Sequence, residues 1–116
     1  MKKLLLFLSL LPFISYGQEE ICTGNDGLCV IQFNAAFNSA NEVKWLENLT
    51  DCSISTVDIM VNPTLPTEYK IVVVPTILIL EDGAEVARFQ ANIMMTMEAT
   101  RKEIQGSIDE IIMSKF

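Results

Sequence analysis

Residues 71–80 read Ile-Val-Val-Val-Pro-Thr-Ile-Leu-Ile-Leu, apolar throughout except at Pro75 and Thr76. A run this long and this rich in β-branched side chains has the character of a buried strand, yet a proline sits at its centre. Proline has no N–H to give to a sheet ladder. The run therefore divides into an irregular approach ending at Pro75 and a strand over 76–80. The strand meets Glu81-Asp82-Gly83, and Asp-Gly supplies the two left-handed residues that a tight hairpin needs. Residues 85–90 (EVARFQ) then return antiparallel.

Upstream of the hairpin, residues 29–34 (CVIQFN) form a short buried strand and 54–61 (ISTVDIMV) a second. Between them Ser39-Ala40-Asn41-Glu42 has the S-x-x-E spacing of a capping box, followed by Val43, Leu46 and Leu49 at helical intervals. This predicts a helix over 40–51. Two strands joined through a helix of that length lie parallel with a right-handed crossover. Asn62-Pro63 opens a short helix that ends near Tyr69-Lys70, and 97–113 closes the chain as a helix with Ile104, Ile108, Ile111 and Ile112 on one face. The order β-α-β-α-β-β-α predicts an α/β fold with a mixed four-stranded sheet and helices on both faces.

The 116 residues contain eight Lys and Arg against fifteen Asp and Glu, for a net charge of −7. That balance argues against nucleic acid as a partner, whose phosphates call for basic side chains. The absence of His removes His-dependent nucleophilic catalysis and imidazole metal ligands, and three Cys are too few for a four-thiolate zinc site. The five Gly fit no phosphate-cradling pattern. Neither a metal nor a cofactor is expected, and no catalytic residue is assigned. Lys2 and Lys3 precede an apolar stretch over 4–14, and Ser15-Tyr16-Gly17 offers small residues at a cleavage position. Residues 1–17 read as a signal peptide, 18–28 as an N-terminal arm and 29–116 as the folded domain. The protein is expected to be exported, periplasmic or secreted, with no stable membrane anchor once the signal is cleaved, in a compartment that permits disulfides.

Val74-Pro75-Thr76 directly before an apolar strand, Tyr69 upstream of it and the order of elements together resemble thioredoxins, from about Cys29 to the end of the chain. Residues 31–37 (IQFNAAF) resemble the strand and loop that lead into that family's active site, and Asp82-Gly83 its hairpin turn. The resemblance implies a cis bond between Val74 and Pro75 and a docking edge for extended peptide at Val73, Val74, Pro75 and Thr76. It also shows what has changed. Where thioredoxins carry W-C-G-P-C, this chain has Phe37-Asn38-Ser39-Ala40-Asn41, so Asn38 and Asn41 stand at the two cysteine positions. Gln32 stands where the family keeps a buried acid. The family's chemistry needs a thiolate at a helix N-terminus, and an amide has neither that ionisation nor a nucleophilic sulfur. Only 18–28 precede the first strand of the domain, so the strand and helix with which thioredoxins begin are expected to be reduced or absent.

Cys22, Cys29 and Cys52 are candidates for one disulfide, with Cys29 and Cys52 expected at the pole opposite Asn38; spacing leaves the pairing open. Residues 93–97 (IMMTM) are read as packing at a core edge, and Trp45 as a half-buried helix residue. The function expected is an exported thioredoxin-like domain without dithiol redox activity that binds a protein or peptide, with the amides of Asn38 and Asn41 bonding the incoming chain. The alternatives are a residual thiol-disulfide oxidoreductase using the non-motif cysteines, and a purely structural exported subunit.

Overall fold

Residues 27–116 are described by a computed structural model. The expected signal peptide, Cys22 and nearly all of the expected N-terminal arm lie outside the described residues, as does the question of a reduced first strand and helix. Four strands form one sheet: β1 (Leu28–Asn34), β2 (Cys52–Asp58), β3 (Thr76–Glu81) and β4 (Ala84–Gln90), in the spatial order β2-β1-β3-β4. β1 pairs parallel with β2 and antiparallel with β3, and β3 pairs antiparallel with β4. The sheet is therefore mixed, as the pattern predicts.

Side chains alternate across β1, so one strand feeds both faces. Leu28 and Val30 join Ile77, Ile79, Ile104 and Ile108 on one side, beneath the helix α2 (Arg101–Met113). Cys29, Ile31 and Phe33 join Leu78, Leu80 and Val57 on the other, where Leu65 and Tyr69 of the α1 region pack (α1, Thr64–Glu68). β1 is one of the two inner strands, covered on both faces, and all seven of its residues are buried.

The helix predicted over 40–51 does not form. Two short 3-10 segments, Ala36–Asn41 and Trp45–Asn48, take its place, with Glu42 between them in an extended conformation (φ −62°, ψ 139°). The cause lies below, in the sheet. The side chain of buried Gln32 donates through Nε2 to the Val43 carbonyl at 3.0 Å and accepts from the Val43 N–H at 2.8 Å. Both backbone groups of Val43 are thus withdrawn from any helical ladder. The Ser39–Glu42 capping box is unused. Instead the Glu42 N–H donates to the Ser39 carbonyl at 3.1 Å, the bond of a 3-10 turn. Val43, Leu46 and Leu49 still reach the core, because a three-residue spacing suits either kind of turn.

The second strand starts and ends earlier than predicted. Asp58 closes it: its carboxylate accepts from the Met60 N–H at 2.9 Å and its carbonyl from Val61 and Asn62, leaving Met60 and Val61 exposed. α1 follows Pro63, and Arg88 serves its end, donating to the carbonyls of Tyr69 (2.6 Å) and Lys70 (3.2 Å). The Tyr69 hydroxyl donates to the Gly83 carbonyl at 2.9 Å, tying this helix end to the hairpin tip. α2 begins at Arg101 rather than 97, behind a complete capping box. The Glu103 N–H donates to Thr100 Oγ1 at 3.1 Å, and Thr100 N–H donates to Glu103 Oε1 at 2.8 Å. Among the described residues no helix is long and apolar enough to cross a membrane.

Candidate functional site

The pole at the C-terminal end of β1 gathers three pieces of chain. β1 ends at Asn34, the 3-10 segment after it carries Asn38 and Asn41, and the run into β3 brings Val73 to Thr76 alongside. The Val74–Pro75 peptide bond is cis. Val74, Pro75 and Thr76 are buried, and the Thr76 hydroxyl donates to the Val73 carbonyl at 2.6 Å. The Pro75 carbonyl accepts from the Ala91 N–H at 3.0 Å, which carries the β3–β4 pairing one step past the strand. Neither the Val73 nor the Val74 N–H has a partner among the described residues.

Asn38 is the hub. It is only 4 % exposed and sits at φ −116°, ψ 24°, outside helical geometry within its own segment. Its Nδ2 lies 3.2 Å from Asn34 Oδ1, 3.2 Å from the Met95 carbonyl and 3.5 Å from the Val74 carbonyl. Its Oδ1 accepts from Asn41 Nδ2 at 2.8 Å, and its backbone carbonyl accepts from Asn34 Nδ2 at 3.2 Å. The sequence expectation that Asn38 turns its amide to an incoming chain needs correction: that amide is committed to its own chain. Asn41 is half-buried and spends a donor on Asn38.

A third loop completes the pole. Asn92 organises it with one side chain, whose Oδ1 accepts from the N–H groups of Met94 (2.9 Å) and Thr96 (3.1 Å) and from the Thr96 hydroxyl (3.0 Å). The Met95 N–H donates to the Asn92 carbonyl at 2.9 Å, and Met95 takes a left-handed conformation, φ 62°. This loop displays Ile93 at 97 % exposure and leaves Met94 exposed, so residues 93–95 are not the core-edge filler that composition suggested. Met97, past the turn, does pack on the core beside half-buried Trp45. An open groove of about 300 Å³ is lined by Phe37, Ile59, residues 71–74, Asn92, Ile93 and Met95. Phe37 (68 % exposed) and Val72 (77 %) form an uncharged apolar rim with Ile93.

Sequence reasoning missed Asn34, Asn92 and Met95. Asn34 had a signal: it shares the face of Gln32 by alternation and ends a strand that leads to the motif. Asn92 had none.

The cysteines lie elsewhere. Cys52 opens β2 opposite Leu28, and Cys29 is opposite Ser53. One step of register puts the two on opposite faces of the sheet, so this pair does not bond, although both lie at the end of β1 far from Asn38. Cys52 is a free thiol whose pKa is raised by burial and then by Asp51. Cys29 is disulfide-bonded, with its partner outside the described residues. Gln32, at the position that resembles the family's buried acid, is neutral and bonds Val43 through both its oxygen and its nitrogen. Among the described residues no three His, Cys, Asp or Glu converge as a metal site would require.

No protein-family model and no curated protein matches the chain. Solved structures do. A point mutant of thioredoxin from Halobacterium salinarum NRC-1 superposes with a TM-score of 0.61 at 20 % identity, covering 77 % of this chain and 78 % of its own. Thioredoxin 1 from Thermosipho africanus TCF52B gives 0.57 at 20 %, covering 75 % and 97 %. Fasciola hepatica thioredoxin gives 0.55 at 24 %, covering 74 % and 82 %. At these identities the likeness is one of architecture, and with the mixed sheet and cis-proline above it settles the fold: this chain is built on the thioredoxin fold.

Proposed function

We propose that the protein is an exported, redox-inactive thioredoxin-like domain that docks an extended apolar segment of a protein partner along Val73–Thr76. The observation that carries this reading is that two backbone N–H groups, on Val73 and Val74, have no partner among the described residues and stand beside an apolar groove. An added strand draws affinity from backbone hydrogen bonds and selectivity from side-chain pockets; this edge offers the N–H donors, and the Val73 and Val74 carbonyls, each with one bond made, keep a second lone pair. Phe37, Val72 and Ile93 lie where alternate side chains of such a strand would rest. Chemistry on sulfur has no place at this pole: positions 38 and 41 are amides, position 32 cannot shuttle a proton, and the free thiol of Cys52 is at the far end of the sheet with its pKa raised.

The test pairs two assays on the exported protein lacking residues 1–17. With dithiothreitol it reduces insulin disulfides no faster than the uncatalysed background. Val73→Pro deletes one docking N–H and abolishes partner capture while leaving the melting temperature unchanged. Insulin turnover above background overturns the redox half of the reading, and undiminished capture by Val73→Pro overturns the docking half.

A further inference from the structure

We infer that position 38 is a donor site shaped for an amide, so that the loss of thiol chemistry resides in the surroundings as well as in the missing sulfurs. Three acceptors converge on it: Asn34 Oδ1 from β1, the Val74 carbonyl from the cis-proline run and the Met95 carbonyl from the 92–98 loop. The orientation of Asn34 is fixed, because its own Nδ2 donates to the Asn38 carbonyl. It therefore presents oxygen, not nitrogen, to position 38. An asparagine side chain brings two N–H donors to this cage and one acceptor for Asn41, and every partner it meets is uncharged.

A cysteine in the same place has one weak donor as a thiol and none as a thiolate. The thiolate would face three oxygen acceptors in a nearly solvent-free position. Burial and the three facing oxygens disfavour the anion, against a single donor, Asn41 Nδ2, which the double variant below removes. Nor is there a helix to offset this, since the segment is a six-residue 3-10 turn broken at Asn38 itself and lacks the aligned N–H groups of an α-helical N-terminus. The cage thus inverts the electrostatics that activate a thiol. It also makes Asn38 a positioning residue, whose side chain is bonded to two stretches of chain that line the groove, at Val74 and Met95. This assignment is independent of peptide docking and would hold if nothing bound the groove.

The experiment restores the sulfurs. In Asn38→Cys and in Asn38→Cys/Asn41→Cys, iodoacetamide alkylation is followed against pH by peptide mass mapping. The introduced thiol at 38 titrates above the ordinary thiol value of about 8.5, and the double variant leaves insulin reduction at background. A midpoint near 7 or below, with turnover, overturns the inference. Because cysteine is smaller than asparagine and can loosen the pole, Asn38→Asp provides an isosteric check against wild type at matched pH. Its carboxyl, facing oxygens, has a folded pKa raised above the unfolded value of about 3.9. The deficit in melting temperature is then smallest below about pH 4, grows as pH rises and levels off above the folded pKa. A deficit independent of pH, or no deficit at neutral pH, contradicts the cage.

Discussion

Residues 71–90 and the crossover between β1 and β2 meet at the pole beyond the C-terminal end of β1, and they are held in opposite ways. The first is governed by its backbone. Pro75 divides the apolar run, Asp82 (φ 54°) and Gly83 (φ 86°) turn the hairpin, and the geometry follows from the residues in sequence order. The second is governed by side chains that reach it from elsewhere. Gln32 from the sheet takes both backbone groups of Val43, and Asn38 ties its segment to three other stretches of chain. An edge defined by its backbone keeps its shape whatever side chains stand at positions 38 and 41. A nucleophile site defined by helix geometry does not.

If side-chain amides hold the crossover, breaking one should cost more than disturbing the hairpin. Gln32→Leu strands the Val43 N–H and carbonyl in a buried position, and chemical denaturation should show a loss of about 3 kcal/mol. A loss under about 1 kcal/mol would mean that the crossover relaxes freely into another path. In the hairpin, Gly83→Ala meets open space, so only the positive φ is penalised, and the loss should be about 1 kcal/mol. Thr100→Ala removes the α2 cap for a similar loss of about 1 kcal/mol in the same assay. Smallest is the exposed pair on β4. The Arg88 guanidinium, by hydrogen bonding and then by charge, holds the Glu85 carboxyl below its usual range. A depressed carboxyl stabilises above its unfolded pKa, and that contribution is lost as pH falls through the folded value. Glu85→Gln should therefore lose no more than about 0.5 kcal/mol at neutral pH, given its exposure, and nothing near pH 2.

Legibility from sequence divides along the same line. The strands, their order, the hairpin and the mixed sheet follow from apolar runs, Pro75 and Asp-Gly, each a local cause with a local effect. The two S/T-x-x-E patterns that stand ahead of apolar helical spacing show where local reading stops. Thr100–Glu103 is a working capping box at the head of a thirteen-residue helix, whereas Ser39–Glu42 caps nothing. Nothing within residues 39–51 distinguishes them. The difference is Gln32, seven residues before Ser39, whose partner becomes apparent only once β1 lies beneath the crossover. The same holds for Asn38. Its residue type ruled out thiol chemistry at once, but its inward turn depends on the Met95 carbonyl, 57 residues away. The exposure of Ile93 likewise rests on the hydrogen bonds of Asn92, which no periodicity signals.

The central claim, that an intact backbone edge still docks protein beside a pole without sulfur chemistry, is tested most directly by photo-crosslinking in the exporting cell. A photoreactive benzophenone side chain placed at Val72 or Ile93, on the groove rim, should capture partner protein, and capture at both sites should vanish when Val73→Pro is added. The same probe at Trp45, on the opposite face of the sheet from α1, should capture none. Crosslinks that persist through Val73→Pro, or that form at Trp45 in place of Val72 and Ile93, would contradict the account and move the working surface away from the cis-proline edge.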